Sequence, residues 1–258
     1  MSAPPGADTD ASPTFPWRRA VVVGGTSGIG EAVVRRLVKT GVTVAVVGRR
    51  EDRLHVLKAD LDQALLTYRH DVRDAGSVPG LFEKIVGQLD GLDLIVYAAG
   101  VLPVTGAMEF PSERDLDTLA INLNGAVAWL NPAADRFART GRGTIVGISS
   151  VAGDRGRRGN PAYNASKAGL SVYLESLRNR LAIQGVTVLT VKPGYVRTAM
   201  LDNNPPGPLP VIDADRAAEE ILDAAAAGKR VVYVPGWWRI IMTVVGVIPA
   251  PIFERLPF

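Results

Sequence analysis

Residues 20–30 read AVVVGGTSGIG, and 31–39 continue as EAVVRRLVK. An unbroken valine run marks a strand buried on both faces, as in a parallel sheet. The turn that follows has the spacing G-x-x-x-G-x-G from Gly24 to Gly30. Glycine permits a tight turn and close approach of another group to the backbone. A helix starting there offers unpaired N–H groups and the positive end of its dipole. Strand, glycine turn and helix in this order form the place where a pyrophosphate is expected in an open α/β sheet.

The same alternation spreads outward from this stretch. Apolar runs at 42–47, 92–97, 143–149, 186–192 and 230–234, with a weaker one at 67–70, alternate with helical spacing. The helical segments are 29–40, 51–63, 75–89, 112–139, 161–184 and 213–227. Right-handed βαβ crossovers then predict a doubly wound, three-layer α/β/α fold with a seven-stranded parallel sheet. Residues 17–235 are expected to form one catalytic unit, 1–16 a floppy leader that is not a signal peptide, and 236–258 an apolar tail. Residues 201–212, LDNNPPGPLPVI, hold four prolines and are expected to be a loop on the ligand-binding edge of the sheet.

Composition excludes several functions. The chain has 258 residues, 47% hydrophobic and 21% charged, with a formal net charge of +3. It is neither a disordered chain nor a strongly basic nucleic-acid binder. There is no cysteine, so disulfides, thiolate nucleophiles, zinc fingers and iron–sulfur clusters are out. A cytoplasmic location is the natural expectation. His55 and His70 lack spaced partners, are expected to be ordinary surface or boundary residues, and imply no metal site.

Two clusters carry chemistry. The second strand ends Gly48-Arg49-Arg50, with no carboxylate to accept a ribose 2′-hydroxyl. Arg49, and Arg50 with it, would instead meet a 2′-phosphate, so the expected cofactor is NADP(H). Further on, Tyr163 and Lys167 stand at i and i+4, on one helical face. An ammonium there favours phenolate and draws the tyrosine from ~10 towards neutrality, fitting it to pass a proton to or from a carbinol oxygen. Ser150, thirteen residues before Tyr163, ends a strand over the same edge and can polarise a carbonyl.

With the glycine turn 24–30, Asp71-Val72, Ala98-Ala99-Gly100, Asn122, Ile148-Ser149-Ser150, Tyr163…Lys167 and Pro193-Gly194…Thr198 in this order, the sequence resembles the short-chain dehydrogenase/reductase family in its compact, single-domain, Rossmann-like form. The resemblance implies that Tyr163 is the general acid/base, and that Lys167 lowers its pKa and binds the nicotinamide ribose. It makes Ser150, rather than Ser149, the residue that orients the carbonyl, and Asn122 the one that holds a water linking Lys167 to solvent. Gly24, Thr26, Ser27, Gly28, Ile29 and Gly30 would cradle the phosphates. Asp71 and Val72 would contact the adenine, while Ala99, Gly100, Pro193, Gly194 and Val196 would lie along the cofactor. Thr198 would reach the carboxamide. The family also implies a homodimer or homotetramer built on helices 112–139 and 161–184, and a small carbonyl or alcohol substrate. Two positions depart from its pattern: Val23 stands where Thr is frequent, and Tyr97 where Asn is frequent. Tyr97 is read as structural.

The variable parts leave alternatives open. Asp154-Arg155-Gly156-Arg157-Arg158-Gly159-Asn160 should border the substrate, its arginines either binding an anionic group or forming a solvated or subunit-facing basic loop. The tail from Pro235 to Phe258 is uncharged over 240–253 and too short to span a bilayer. Pocket closure and oligomer contact are expected of it ahead of a peripheral membrane contact. Besides a ketone/alcohol oxidoreductase, a 3-oxoacyl-thioester reductase and a non-catalytic NADP(H)-binding redox sensor remain as alternatives. A nucleotide-sugar epimerase is disfavoured, since the chain lacks that group's extra C-terminal domain.

Overall fold

A computed structural model describes residues 15–61, 64–106, 108–202, 204, 206–207 and 209–256. Its main sheet is seven-stranded and parallel throughout. The strands are β1 (Arg19–Val23), β2 (Thr43–Gly48), β3 (Leu65–Arg69), β4 (Leu94–Tyr97), β5 (Gly143–Ile148), β6 (Val186–Pro193) and β9 (Val231–Val234). Their order is β3-β2-β1-β4-β5-β6-β9, so the direction of winding reverses between β1 and β4. That reversal opens the crevice in which ligands settle, at the carboxyl ends of the strands. A two-stranded parallel pair, β7 (Val196–Arg197) with β8 (Ile212–Asp213), lies beyond β6.

The valine run explains the layering. Ala20 and Val22 point into one core and Val21 and Val23 into the other, all fully buried. Alternation across a pleated strand requires this, and each buried valine removes apolar area worth ~1.5–3 kcal/mol. The first face is covered by α1 (Gly28–Lys39), α2 (Glu51–Leu61) and α8 (Ala214–Ala226). The second is covered by α3 (Val78–Gln88), α5 (Gly125–Thr140) and α6 (Pro161–Arg180).

Some boundaries differ from the expectation. Of the leader expected to run through residue 16, residues 1–14 lie outside the description; Phe15 is buried beside Trp17 in the first core. The helix expected over 112–139 is three pieces: α4 (Ser112–Leu119), a π-helical turn Ala120–Asn124, and α5. Residues 201–202 of the expected loop belong to a short α7 (Ala199–Asp202), and its last residue opens β8. The tail forms α9 (Trp238–Val247) and α10 (Ala250–Phe253). His70 is buried rather than at a boundary: its Nε2 faces the Asp74 carbonyl and Ser77 Oγ, and its ring meets Trp129 edge-on.

Candidate active site

The glycine turn is built by close approach. A Cβ on Gly24, whose φ is +83°, would stand 2.4 Å from the Ala99 nitrogen; one on Gly30 would stand 2.3 Å from the Gly24 carbonyl oxygen. No larger residue fits either place, so the first turn and the end of β4 lock together. Ser27 is the extended N-cap of α1, yet no side chain caps the helix. The first-turn N–H groups at Gly28, Ile29 and Gly30 are therefore left for an anion.

At the end of β2, Arg50 Nη2 donates to Ser27 Oγ at 2.7 Å and to Thr26 Oγ1 at 3.2 Å. Arg49 is exposed, and its charge acts on Asp71. Arg50 thus reaches the glycine turn, while Arg49 acts on Asp71. Asp71 is held by Arg73, Nη2 to Oδ2 2.6 Å, which lowers its carboxyl to about 2. Its oxygens are engaged by Arg73, and Val72 beside it packs against the second core and Gly125.

The four polar residues expected at the reacting centre converge from three elements. Ser150 follows β5, Asn122 lies in the π turn, and Tyr163 and Lys167 sit in the first turns of α6; all are buried. Lys167 Nζ lies 5.7 Å from the Tyr163 ring centroid and donates to the Ile148 carbonyl at 2.9 Å. The two serines separate cleanly. Ser149 Oγ donates to the Lys167 carbonyl at 2.8 Å and pairs with Ser171, whereas Ser150 Oγ accepts from the Ala152 N–H at 3.0 Å and lies close enough to the Tyr163 phenol to favour its ionised form. Asn122 Oδ1 accepts from the Val101 N–H at 2.8 Å; its Nδ2 donates to the Val101 carbonyl and to Ser166 Oγ. A Cβ on Gly100 would lie 3.4 Å from both Asn122 Oδ1 and Lys167 Nζ, so glycine keeps the space between them open.

Electrostatics here are dominated by burial. Desolvation brings the Lys167 ammonium down to about 8. Desolvation also raises the Tyr163 phenol, against the pull of the Ser150 hydrogen bond and the Arg157 charge. Among the chain's own groups, burial outweighs the influences that favour phenolate, which come from Ser150 and Arg157.

The far wall comes from β6 and the tail. Pro193 ends β6, Gly194 N–H donates to the Val234 carbonyl at 2.9 Å, and Val196 is buried in β7. Trp238 packs against Gly194, where a Cβ would come 1.7 Å from the indole nitrogen. That nitrogen is buried without a hydrogen-bond partner. The methyl group of Thr198 lies over Gly28, bringing β7 to the phosphate turn rather than leaving it only at the far end of the crevice.

Sequence reasoning missed how the arginine loop is used. Arg155 donates to the Val245 carbonyl and lies over the Phe253 ring at 3.8 Å; Arg158 donates to the Glu254 carbonyl at 3.3 Å. Arg155 is half-buried and Arg158 exposed, and both hold the tail. Arg157 alone turns towards Tyr163, with its Nε buried and unpartnered. Asp154 anchors the loop by pairing with Lys192 and accepting from the Tyr233 hydroxyl at 2.8 Å. The signal was present in a lone lysine within the apolar strand TVLTVKP.

Tyr97 is structural in the way expected. It is fully buried, and its hydroxyl donates to the Ile121 carbonyl at 2.5 Å, inside the π turn. Gly125 makes room, since a Cβ there would meet the hydroxyl at 2.5 Å.

The family model described as short chain dehydrogenase matches residues 18–208. The chain belongs to the short-chain dehydrogenase family. An oxidoreductase of Myxococcus xanthus (strain DK1622) is 34% identical over 242 residues, 92% of this chain and 95% of that protein. The solved structure of gox2181 superposes with a TM-score of 0.78 at 26% identity, covering 87% of this chain and 96% of the other. ElxO, solved with NADP bound, gives 0.78 at 22% identity over 87% and 99% of the two chains, a likeness of fold. Members of this short-chain dehydrogenase family are oxidoreductases that use a nicotinamide dinucleotide.

Proposed function

We propose that this short-chain dehydrogenase transfers hydride between NADP(H) and a ketone/secondary alcohol pair. The observation that carries the reading is the convergence of Ser150, Tyr163 and Lys167 in one buried cluster beside an uncapped glycine turn. The residues present fit the dinucleotide: Gly24 and Gly30 leave a cradle that any Cβ would fill, and Arg50 with Arg49 stands where a 2′-phosphate would lie. Thr26, Ser27, Gly28 and Ile29 would hold the phosphates, Val72 and Asp71 the adenine end, and Ala99, Gly100, Pro193, Gly194, Val196 and Thr198 the nicotinamide side. The bound nicotinamide supplies or accepts the hydride.

This chain's own residues handle the proton. Ser150 O–H holds and polarises the carbonyl oxygen. Tyr163 O–H gives its proton to the same oxygen as negative charge develops there, and burial keeps the phenol protonated until that moment. The charged Lys167 lowers the cost of the phenolate left behind. Asn122 braces the π turn against the Val101 loop, and the space by Gly100 would take the water that returns a proton through Lys167. Exposed Leu116 on α4 and Val172 on α6 support pairing of those faces in a homodimer or homotetramer.

The thioester-reductase alternative loses two of the three arginines it relied on, because Arg155 and Arg158 bind the tail. The sensor alternative predicts loss of Tyr or Lys, and both are in place.

The deciding experiment is a panel of ketones and secondary alcohols with NADPH, NADH and their oxidised forms, read by nicotinamide absorbance. Turnover with a KM for NADPH well below that for NADH is expected. Arg49→Asp/Arg50→Asp should raise the NADPH KM by ~10–100-fold, the loss of one or two ionic contacts. No turnover of any pair, or preference for NADH, defeats the reading.

A further inference from the structure

We propose that the outer face of α9 and α10 docks on an anionic bilayer surface. The inner face of these helices is spent on the protein: Trp238, Met242 and Phe253 are buried, Trp238 and Met242 against Val151 and Phe253 under Arg155. The outer face is not. Ile240, Val244, Val247 and Ile252 are exposed by 71%, 58%, 76% and 55%. Positions 240, 244 and 247 fall at i, i+4 and i+7, one stripe along the helix. No charged residue occurs between Arg239 and Glu254. A helix face that meets only water carries charges along such a stripe.

A bilayer fits this face better than a second copy does. α9 has 10 residues. At ~1.5 Å per residue and ~10 Å across, its face covers on the order of 150 Å². A stable dimer buries ~800 Å² on each partner. The helix is also about half the ~30 Å needed to cross a bilayer, so it would lie in the plane of the surface. Among the described residues no helix is long and apolar enough to cross a membrane.

Three polar groups of the tail are satisfied from within. Thr243 O–H donates to the Arg239 carbonyl at 2.8 Å, Arg155 takes the Val245 carbonyl, and Arg158 takes the Glu254 carbonyl. Backbone entering the acyl boundary needs its acceptors satisfied by the protein itself. The rim is basic: Arg239, Arg255 and Arg158 are exposed, against one acid, Glu254. Two copies face to face would bring these arginines together, whereas anionic headgroups complement them. Trp237, partly buried beside Arg239, is the side chain that an interfacial position favours.

The test is co-sedimentation of the full chain with vesicles of phosphatidylcholine alone, or of phosphatidylcholine mixed with phosphatidylglycerol. The chain should pellet with the mixed vesicles, and far less with the neutral ones. Ile240→Glu/Val244→Glu, at exposed positions that leave the core intact, should cut the bound fraction ~10-fold. Arg239→Ser/Arg255→Ser, or added salt, should cut it severalfold. Equal pelleting with and without vesicles overturns the proposal, as does undiminished binding by both double variants. A halved solution mass for Ile240→Glu/Val244→Glu without vesicles overturns it too, assigning the face to a second copy. The assay does not read turnover, so its outcome is independent of the oxidoreductase reading.

Discussion

Lys167 and the arginines of the 154–160 loop are cations placed a few residues apart on either side of Tyr163, and the protein treats them in opposite ways. Lys167 is sealed in, its ammonium donating to the Ile148 carbonyl, and desolvation takes it down to about 8. Arg155 and Arg158 are directed outward onto the carbonyls of the tail. A cation that the fold buries without a counter-charge is unfavourable for stability and is kept for chemistry. Cations laid on helix-end carbonyls stabilise what they touch. Residue type in the sequence did not distinguish these two uses; the difference lies in what surrounds each group.

The contrast is broken most directly at the phenol that Lys167 serves. Tyr163→Phe should lower kcat for carbonyl reduction by ~10³-fold or more, the reach of general acid catalysis, while leaving the melting temperature and NADPH binding intact. Steady-state kinetics with fluorescence titration of NADPH checks both halves. Retained turnover would strip the buried cluster of its role.

A smaller effect sharpens the comparison by pH. Lys167 is charged below about 8 and neutral above it. Reduction measured as kcat/KM should therefore hold level at neutral pH and fall as pH rises through about 8. The linkage to stability has the opposite sense: the folded chain binds the lysine proton less well than the unfolded one, so this group's cost is full below about 8 and fades towards the ordinary lysine value of 10.5. Lys167→Met should remove the alkaline limb along with most activity. A rate that rises steadily through that range contradicts the assignment.

The smallest expected effect belongs to the outward cations. Arg155→Ala removes a charged hydrogen bond and the cover over Phe253, about 1–2 kcal/mol together, and should lower the melting temperature by about 2–6 °C. Arg158→Ala, at an exposed site, should shift it less. Both should keep kcat for a small ketone within about threefold. A collapse of kcat with unchanged melting would move Arg155 to the substrate side.

The fold was legible because its signals are local. AVVVGGTSGIG carries strand, turn and helix in one stretch, and the later apolar runs repeat the pattern. The positions of Ser150, Tyr163 and Lys167 followed from spacing along one helix and one strand. What was not legible depends on contacts between distant segments. Nothing near residue 120 announces a π turn; it arises where the helix must present Asn122 to the Val101 backbone. Nothing near Arg155 names Val245 as its partner, ninety residues away. The burial that raises Tyr163 and lowers Lys167 comes from the packing of several elements at once.

Tyr97, Ile121 and Gly125 form a lock whose parts are useful only together. The phenol stoppers a carbonyl in the irregular helical turn, and it fits there because position 125 has no side chain. Evolution would then have to keep them together: relatives with a bulky hydroxylated ring at 97 should keep glycine at 125, and those with a short amide at 97 are released only if residue 72 is also reduced, since its side chain crowds the same spot.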